Sequence, residues 1–457
     1  MEDRKTIYLC LAHMSEEGLE QKYVKEAFDT NWIVPLGPNV NAFEADLEAF
    51  VNELSPNSLS QQNNAEAILD RRVVCLSAGT AAVHLALVAC GVKPGDEVCV
   101  QSFTFCASSH PITYLGAKPV FIDSEPDSWN MDPDLLEKAI IDRIAKTGKK
   151  PKAIIPVALY GMPYNCDKIM AIAEKYNIPV IEDAAEGFGS RFNGRVLGTF
   201  GKFGVLSFNG TKMITTSGGG ALICVDDESK NNIMWYATQA RDAYPYYQHT
   251  AIGYNYRMSN VCAGIGRGQM SVANAHIAHH KHVQELYRQL FKDIDGITLH
   301  EAPNADYDSN YWLCTATIDP KIRIKGQENV YQEVIKTAVG GAAGVIHQVE
   351  SAVTDCQPND NVEPLRIFML NKRVECRPLW KPMHKQPIYC NGSKALCHGS
   401  LVNGREYCVE EGPNMVAFVN GISEGLFKIG VCLPAGPMVT DDDVRYIVDC
   451  IRDAIER

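Results

Sequence analysis

The chain has 457 residues, which is enough for two or three domains and a large buried core. Its formal net charge is -12, from 43 basic and 55 acidic residues, which argues against nucleic acid and anionic membranes as main partners. No apolar run reaches the length of about 18 residues that a membrane-spanning helix needs, so no such helix is expected.

The first residues and the cysteines both favour a cytoplasmic protein. The start, MEDRKTIYLCLAHMSEEG, has too short an apolar stretch for a signal peptide and lacks a small-residue cleavage site. The 16 cysteines are scattered, and no pair has C-x-x-C spacing. Several lie inside apolar runs, which favours small buried side chains in a reducing compartment over a disulfide framework.

The N-terminal part of the chain is predicted to be mainly helical. After a short strand in TIYLCLA, apolar residues with helical spacing predict a helix over 16–29. The prolines and glycine of VPLGPN predict a loop at 34–39, and Asn41 could cap the helix that follows. Residues 55–71 are rich in Ser, Asn and Gln, so we expect a surface insertion or linker there.

Between residues 73 and 225 short apolar segments alternate with helical patterns. The predicted strands are VVCL (73–76), EVCV (97–100), PVFI (119–122), AIIPV (153–157), PVIED (179–183), KFGVLSF (202–208) and ALICV (221–225). The helical patterns between the earlier strands cover 81–90, 132–146 and 164–176. This alternation of apolar strands and helices predicts a largely parallel sheet covered on both faces, with ligands at the carboxyl ends of its strands.

The rest of the chain has an α+β pattern. The predicted elements are helices at 228–243, 259–292 and 327–338, strands at 311–318 and near 374–377, and an amphipathic helix at 440–457 capped by Thr440. We therefore predict an α/β protein with a large domain over 20–270 and a smaller α+β domain over 271–457. Insertions are expected near 337–357 and 389–412 within the smaller domain.

One lysine stands out in the segment KFGVLSFNGTKMITTSGGGALICV. Lys212 lies in a polar turn between two β-rich stretches, so a sheet would hold both ends of its backbone. Partial burial favours a neutral amine, which can form a Schiff base with an aldehyde or ketone. The alternative is a surface lysine in a hairpin turn, which is the commoner position for lysine.

Two motifs that follow strands could bind a phosphate and a ring nitrogen. In LSAGTAAVHLAL a strand ends and small residues open a helix, whose free N–H groups and dipole attract a phosphate. Asp183 in VIEDAAEG ends an apolar strand, and a partly buried carboxylate needs a partner such as a pyridinium nitrogen. An ordinary capped helix and a capping Asp are equally consistent with these patterns.

Two further motifs supply aromatic and polar side chains. QSFTFCASS places Phe103 and Phe105 after a strand, where either could stack on a flat ring or belong to the core. GYNYRMSN places Asn255 and Arg257 among aromatics as a donor and a phosphate fork, or in a polar loop with an exposed arginine. Together the motifs provide a phosphate cradle, a ring-nitrogen acid, a ring stacker and a Schiff-base lysine, which are what pyridoxal phosphate requires.

The order of these motifs along the chain resembles the DegT-like sugar aminotransferases, a group of the fold-type I pyridoxal-phosphate enzymes. The resemblance covers nearly the whole chain, and its most specific stretches are SFNGTKMITTSGGGAL, IEDAAE and GYNYRMS. It implies an α/β fold-type I architecture, with a mostly parallel mixed sheet between helices in the large domain. It also implies pyridoxal 5'-phosphate as cofactor and a homodimer whose sites lie at the subunit interface.

The resemblance also implies roles for individual residues. Lys212 would form the Schiff base and move the proton, Asp183 would pair with the pyridine nitrogen, and Glu186 stands where the family usually has Gln or His near the ring hydroxyl. The other cofactor-binding residues that it implies are Phe105 on one ring face, Gly79, Thr80 and Ser207 at the phosphate, and Asn255 reaching in from the neighbouring subunit.

A narrower resemblance concerns the substrate. RPLWKPMHKQP, LYGMP and NWIVPLGPN are similar to the bacillosamine-type aminotransferases, which act on UDP-linked 4-keto-6-deoxy sugars with a 2-acetamido group. The sugar-binding residues that it implies are Arg377, Trp380 and His384, with Arg257 at the diphosphate. The chain departs from the family pattern PVHLYG, since Ala158 replaces the histidine, and the insertions at 55–71, 337–357 and 389–412 are not part of the usual core.

Two clusters of potential metal ligands give only a weak indication of a metal site. HIAHHKH places His276 and His280 one turn apart on a helix, without a third ligand in pattern. The other cluster consists of Cys390, Cys397, His398 and Cys408, whose spacing is irregular for zinc. We therefore expect no metal site.

These patterns lead to one hypothesis with two alternatives. A glutamate donor would pass its amino group through the cofactor to C4 of a UDP-2-acetamido-2,6-dideoxy-4-hexulose, for polysaccharide or glycoprotein glycan biosynthesis. The first alternative is a sugar dehydratase of the same fold, in which the resemblance implies His in place of Lys212. The second is a non-catalytic relative that binds the cofactor and acts as a regulator.

Overall fold

The computed structural model describes residues 4–53, 69–327, 357–359 and 361–456. Two predicted insertions lie almost entirely outside these ranges, those at 55–71 and 337–357. The same is true of the predicted helix at 327–338. Within the described residues no helix is both long enough and apolar enough to cross a bilayer.

Thirteen α-helices lie in the described ranges and are numbered in chain order. They are α1 (Leu19–Asp29), α2 (Pro38–Val51), α3 (Gly79–Ala89), α4 (His110–Tyr114), α5 (Pro133–Thr147), α6 (Cys166–Tyr176), α7 (Asp227–Ala237), α8 (Asn260–Met270), α9 (Ala273–Phe291), α10 (Val362–Asn371), α11 (Pro387–Cys390), α12 (Ile422–Ile429) and α13 (Asp441–Ala454).

The strands are numbered in the same way. They are β1 (Arg72–Leu76), β2 (Glu97–Gln101), β3 (Lys118–Ile122), β4 (Ile154–Ile155), β5 (Ile181–Asp183), β6 (Arg191–Phe192), β7 (Arg195–Val196), β8 (Phe203–Ser207), β9 (Gly220–Cys224), β10 (Ile297–Leu299), β11 (Tyr307–Asp308), β12 (Cys314–Ile318), β13 (Arg377–Pro378), β14 (Lys394–Val402), β15 (Arg405–Glu411), β16 (Val416–Val419) and β17 (Gly430–Leu433).

Seven strands form a continuous central sheet in the order β3-β2-β4-β5-β8-β9-β1. The pairs β3–β2, β2–β4 and β5–β8 are parallel, and parallel bridges from residues 154 and 157 join β4 to β5. Both pairs made by β9 are antiparallel. The prediction of a mostly parallel mixed sheet is therefore confirmed, and each of the seven predicted strands is present within a few residues of its expected bounds.

Alternate residues of β1 pack on opposite faces of this sheet. Val73 and Cys75 share a buried cluster with Phe43 of α2, whereas Val74 shares another cluster with Leu85 of α3. Burial on both faces explains why the strand is apolar throughout instead of alternating with polar residues. The predicted helical cover on both faces is thus present.

The segment from β14 to β16 belongs to the central sheet rather than to the C-terminal unit. β14 pairs with β15, β15 pairs with β16, and β16 runs parallel to β3. The predicted insertion at 389–412 therefore extends the sheet of the predicted large domain, and the boundary at residue 270 has to be amended for it. A pairing between residues almost 300 apart in sequence leaves no local pattern from which it could be predicted.

The remaining C-terminal elements form a smaller α+β layer. Its sheet has the order β10-β12-β17-β13, and its core contains Cys314, Val431 and Ile447 together with Val283 of α9. Thr440 caps α13 in a capping box with Asp443, as its sequence predicts.

Two predicted helix boundaries are wrong. α2 begins at Pro38 and not after Asn41, because proline fits the first helical position, where no backbone N–H is needed. The pattern at 259–292 forms two helices, α8 and α9, which are separated at residues 271–272.

Candidate active site

The candidate catalytic lysine lies beyond the carboxyl end of β8. Lys212 sits in the loop that leads to β9, where its backbone N–H donates to Asn209 O at 2.9 Å. Trp312 Nε1–H donates to Thr211 O at 2.7 Å, which ties the preceding residue to another element. The lysine side chain is 13% exposed, so the predicted partial burial is present.

The amine of Lys212 has two close neighbours. Glu186 Oε1 accepts a hydrogen bond from Lys212 Nζ at 3.1 Å. The ring of Trp312 lies on another side, with its centroid 4.1 Å from Nζ. The lysine is therefore held by a buried carboxylate and an aromatic face, and not as a surface residue in a hairpin turn.

Asp183 is the last residue of β5 and is almost fully buried. Its Oδ2 accepts from Ser108 Oγ at 2.6 Å, and its Oδ1 accepts from Ala185 N–H at 3.2 Å. Burial raises the pKa of the Asp183 carboxyl, while Ser108, the Ala185 N–H and the charge of Lys212 act in the opposite direction. A buried carboxylate close to a lysine is a suitable partner for a protonated ring nitrogen.

Glu186 is buried beside the lysine, and a strained turn holds its second oxygen. Glu186 Oε2 accepts from Tyr160 N–H at 2.8 Å. Tyr160 has a left-handed backbone with φ 54°, which is costly for a residue with a side chain. Burial raises the pKa of the Glu186 carboxyl, and the charge of Lys212 lowers it. Glu186 therefore contacts Lys212 through one oxygen and the backbone of Tyr160 through the other.

The next residue, Gly161, fits this turn because no side chain would fit there. A Cβ on Gly161 would lie 1.9 Å from Asn310 Oδ1, and its φ is 94°. Asn310 Nδ2 in turn donates to Glu186 O at 2.8 Å. Gly161 of the LYGMP segment therefore packs against Asn310, the residue that bonds to the backbone of Glu186.

The predicted phosphate cradle lies where α3 meets β8 and β9. Helix α3 begins at Gly79 without a side-chain cap on its first N–H groups. A Cβ on Gly79 would lie 3.1 Å from Ser207 Cβ, and one on Gly220 would lie 2.4 Å from Gly79 N. These glycines allow a close approach of three backbones, and Thr80 and Ser207 are partly accessible beside them. An uncapped helix N-terminus with small residues suits a phosphate group.

The two phenylalanines of QSFTFCASS have different environments. Phe103 is fully buried in the core, whereas Phe105 is 54% exposed. The Phe105 ring lies 5.5 Å from the Trp380 ring, which lies 5.0 Å from Tyr160. Trp380 N–H also donates to Tyr160 Oη at 2.8 Å. Phe105 and Trp380 thus form an aromatic wall beside the segment that holds Glu186.

Arg257 is placed differently from the sequence-based prediction. Its guanidinium is 8% exposed, forms an ion pair with Glu44 at 2.5 Å and donates to Cys75 O at 2.8 Å. The buried pair fixes the segment after α7 against α2 and β1. This arrangement argues against the predicted diphosphate contact, because breaking a buried ion pair is costly.

His384 is also a buried structural residue in this arrangement. Its Nδ1 lies 2.6 Å from Ser102 Oγ and its Nε2 lies 3.2 Å from Glu424 Oε1, and the side chain is fully buried. With both ring nitrogens bonded, the histidine has no atom left for the predicted sugar contact. Arg377, by contrast, is 60% exposed and pairs with Glu375 at 2.7 Å.

The His384 network gives a prediction about stability. Burial alone would raise the pKa of Glu424, but His384 and Lys385 lower it to about 2. Because the folded-state pKa lies below the unfolded value of 4.5, this stabilisation is present above about pH 4.5 and is lost as the pH falls towards 2. After discounting for partial exposure, we expect Glu424→Gln to destabilise the protein by about 1–2 kcal/mol at pH 7.

Thermal unfolding of the wild type and of Glu424→Gln at pH 7 and pH 3 checks this prediction. The difference should shrink between the two pH values. Glu285→Gln is the matched control, because its ion pair with Arg288 is exposed and should contribute less than about 0.5 kcal/mol at either pH. An equal effect of Glu424→Gln at both pH values would contradict the assigned network.

Asn255 is exposed and pairs through its backbone with Thr238. Its predicted contact with a neighbouring subunit stays a prediction.

His276 and His280 of α9 bond to backbone atoms. His276 Nδ1 lies 3.3 Å from Met213 O and His280 Nδ1 lies 3.1 Å from Tyr311 O. Burial lowers the pKa of His280 to about 3. In the described ranges, no group of three or more His, Cys, Asp and Glu side chains could hold a metal ion. Among the cysteines that the structure describes, thirteen have free thiols, including Cys390, whereas Cys408 is disulfide-bonded.

Sequence reasoning missed three residues of the site. Ser108 lies inside the quoted motif QSFTFCASS, and a hydroxyl after a strand could have indicated it. Trp312 lies in YWLCTATI, which predicted only a strand. Tyr160 lies in LYGMP, whose glycine indicates a turn but does not reveal the contact with Glu186.

These side chains fit pyridoxal phosphate. Asp183 would hold the pyridine nitrogen, Glu186 and Lys212 lie together on one side, and the start of α3 would bind the phosphate. The fit rests on the donor and acceptor chemistry of the buried groups and on the close approach at Gly79 and Gly220.

Comparison with known proteins agrees with this chemistry. The chain matches the profile of the DegT/DnrJ/EryC1/StrS aminotransferase family over residues 14–343. It is 37% identical over 447 residues to EpsN of Bacillus subtilis (strain 168), which is named as a candidate pyridoxal phosphate-dependent aminotransferase. The alignment covers 98% of this chain and 95% of EpsN. It is 30% identical over 446 residues to GDP-perosamine synthase of Escherichia coli O157:H7, with 98% of each chain covered.

A solved structure has the same fold. The candidate sugar aminotransferase Spr1654 from Streptococcus pneumoniae, in its PLP form, matches with a TM-score of 0.72 and 22% identity, over 98% of each chain. These matches cover most of the chain. They agree with the buried lysine, with Asp183 and with the uncapped N-terminus of α3. The chain belongs to the DegT/DnrJ/EryC1/StrS aminotransferase family and is a pyridoxal phosphate-dependent aminotransferase.

Proposed function

We propose that this aminotransferase transfers the amino group of glutamate to the C4 ketone of a nucleotide-linked 4-keto-6-deoxy sugar. The observation that carries the proposal is the amine of Lys212, buried 3.1 Å from Glu186 and close enough to Asp183 to influence its ionisation. GDP-perosamine synthase, named for a GDP-linked amino sugar, supports a nucleotide-sugar substrate. The bacillosamine-type motifs favour UDP-2-acetamido-2,6-dideoxy-4-hexulose as that substrate, for polysaccharide or glycoprotein glycan biosynthesis.

When bound, the cofactor supplies an electron sink and carries the amino group between glutamate and the sugar. Asp183 keeps a proton on the ring nitrogen, and Ser108 Oγ–H and Ala185 N–H hold its carboxylate in place. Glu186 borders the site beside Lys212, and Tyr160 N–H holds its second oxygen. The N–H groups at the start of α3 would hold the phosphate, together with Thr80 and Ser207.

Lys212 moves the proton in both half-reactions. In the first, its amine takes a proton from Cα of glutamate, and in the second it gives a proton to C4 of the sugar. Glu186 holds the amine by a charge-assisted hydrogen bond, and the ring of Trp312 screens it from water. These contacts restrict the amine to the position from which it reaches both substrates.

The sugar nucleotide binds against the wall formed by Phe105 and Trp380. Trp380 is fixed by its backbone bond to Tyr160 Oη, so its ring presents a stable apolar face. A diphosphate needs a cationic partner, and this acidic protein must supply one locally. Arg257, predicted for this role, is occupied by Glu44. Arg377, predicted near the sugar, is exposed on β13 and pairs with Glu375.

The proposal includes a homodimer in the cytoplasm. Asn255 is exposed, and it would complete the phosphate site of the neighbouring subunit. The dehydratase alternative is disfavoured because it requires His at the position of Lys212. The regulator alternative is disfavoured because the chain keeps Lys212, Asp183 and Ser207.

A substrate panel tests the proposed reaction. Purified holoenzyme is incubated with glutamate and each of the UDP-, dTDP- and GDP-linked 4-keto-6-deoxy sugars, with a UDP-linked 3-keto sugar added, and the products are analysed by mass spectrometry. We expect the UDP-linked 4-amino sugar to be the main product, with one 2-oxoglutarate per amine. A preference for the 3-keto sugar would contradict C4 specificity, and no sugar-dependent 2-oxoglutarate would contradict the reaction.

A further inference from the structure

Trp312 contacts the amine of the catalytic lysine, although neither the motifs nor the comparisons assign it a role. Its ring centroid lies 4.1 Å from Lys212 Nζ, and the residue is 6% exposed. Glu186 Oε1 lies 3.1 Å from the same Nζ. The amine is thus held between a carboxylate and the face of an indole ring, which is the aromatic ring that binds cations best.

Two hydrogen bonds made by Trp312 and one made by Asn310 connect this ring to its surroundings. Trp312 Nε1–H donates to Thr211 O at 2.7 Å, next to the lysine in sequence. Trp312 N–H donates to Asn310 Oδ1 at 2.8 Å, and Asn310 Nδ2 donates to Glu186 O at 2.8 Å. The indole is therefore connected both to the loop that carries Lys212 and to the backbone of Glu186.

A transamination places a particular demand on the lysine. The lysine amine must be free to move a proton to or from a defined carbon of the substrate. A flexible four-carbon side chain would lose this position unless other groups held the amine. A carboxylate fixes the amine from one side, and a cation–π contact on another side restricts it further.

We propose that Trp312 is a positioning residue that, together with Glu186, holds the free amine of Lys212 during proton transfer. This inference rests on the proposed function. The indole covers the amine and keeps it within reach of the substrate carbon. Loss of the ring should slow proton transfer without preventing cofactor binding, because Asp183 and the start of α3 do not contact Trp312 in any described interaction.

The test compares Trp312→Phe and Trp312→Leu with the wild type. Phenylalanine keeps an aromatic face but loses the Nε1–H bond, and leucine loses both. Trp129→Phe and Trp129→Leu are the matched controls, since Trp129 is equally buried but stacks on His300 at 3.7 Å. Melting temperatures and cofactor content establish that each variant is folded and loaded.

The first readout does not depend on activity. Full-length protein freed of cofactor is labelled with a limiting amount of acetic anhydride at pH 7, and the modification of Lys212 relative to exposed Lys138 is measured by mass spectrometry. Acetylation requires access to the amine, and the indole ring covers one side of Lys212 Nζ, so Trp312→Leu should label Lys212 roughly threefold to tenfold faster than the wild type, with Trp312→Phe between them. The Trp129 variants should label at the wild-type rate.

The second readout is the single-turnover rate of the holoenzyme with glutamate. We expect the rate constant at saturation to fall roughly tenfold in Trp312→Leu and less in Trp312→Phe, with the saturation constant for glutamate unchanged. Labelling of Trp312→Leu at the wild-type rate, or a loss confined to the saturation constant, would overturn the proposal. If the proposed function is wrong, the wild-type enzyme will form no 2-oxoglutarate from glutamate. The labelling comparison does not depend on that reaction, so it would still test the role of Trp312.

Discussion

Lys212→Ala is expected to abolish amino transfer while leaving the protein folded. In the proposed function the amine is both the covalent attachment point of the cofactor and the group that moves the proton, so the variant would lose both. Proton transfer by a positioned side chain alone contributes about 10²- to 10⁴-fold, so kcat should fall by at least about 10³-fold. The absorption band of the cofactor–lysine linkage should disappear as well, and ultraviolet–visible spectra with product assays measure both effects.

The matched control for this variant is Lys202→Ala. Lys202 lies next to the start of β8 but is exposed and is not in contact with Glu186 or Trp312 in the described structure. It should keep the absorption band and turnover. Retention of either property by Lys212→Ala would show that another residue carries the amine chemistry.

The second large effect is expected for Asp183→Asn. Asparagine keeps the size of the side chain but cannot carry the negative charge that holds a proton on the ring nitrogen. A charge-assisted hydrogen bond contributes about 1.5–3 kcal/mol, which predicts a loss of roughly 10²-fold in kcat. Steady-state kinetics with glutamate and the preferred sugar measure this loss.

Stability should respond differently from activity in this variant. Burial raises the pKa of Asp183 above its unfolded value of 3.8, so the folded state disfavours the ionised carboxyl. Whatever stability the protonated carboxyl provides is lost as the pH rises through the folded pKa, and a neutral amide at this position avoids that loss. The cofactor-free Asp183→Asn protein should therefore melt no lower than the wild type at pH 7.

Ser108→Ala is a graded control for Asp183→Asn. It removes one hydrogen bond to the carboxylate but keeps the charge, so its effect on kcat should be smaller, about tenfold. A loss in Ser108→Ala as large as that in Asp183→Asn would contradict the role assigned to the charge.

The central sheet could be predicted because its strands carry a strong local pattern. Each strand is a short apolar run, and its polar motif follows at the carboxyl end, so the sites of Asp183 and Lys212 could be placed at one edge. The pairing of β16 with β3 could not be predicted in this way, because it joins residues almost 300 positions apart. Local periodicity contains no information about such a pairing.

The side-chain partners were harder to predict for a similar reason. Arg257 resembled a phosphate ligand in its own segment, but its partner Glu44 lies on α2 more than 200 residues away. His384 resembled a sugar contact, although Ser102 and Glu424 occupy both of its ring nitrogens. Whether a polar side chain faces a ligand or another side chain depends on the packed structure, which one segment does not encode.

The central claim is that the amine of Lys212 bonds covalently to the cofactor, and chemical reduction tests it most directly. Holoenzyme is treated with sodium borohydride, digested and mapped by mass spectrometry. The account predicts a reduced pyridoxyl group on the peptide that contains residue 212 and on no other peptide. A pyridoxyl group on a different lysine, or no reduced product at all, would contradict it.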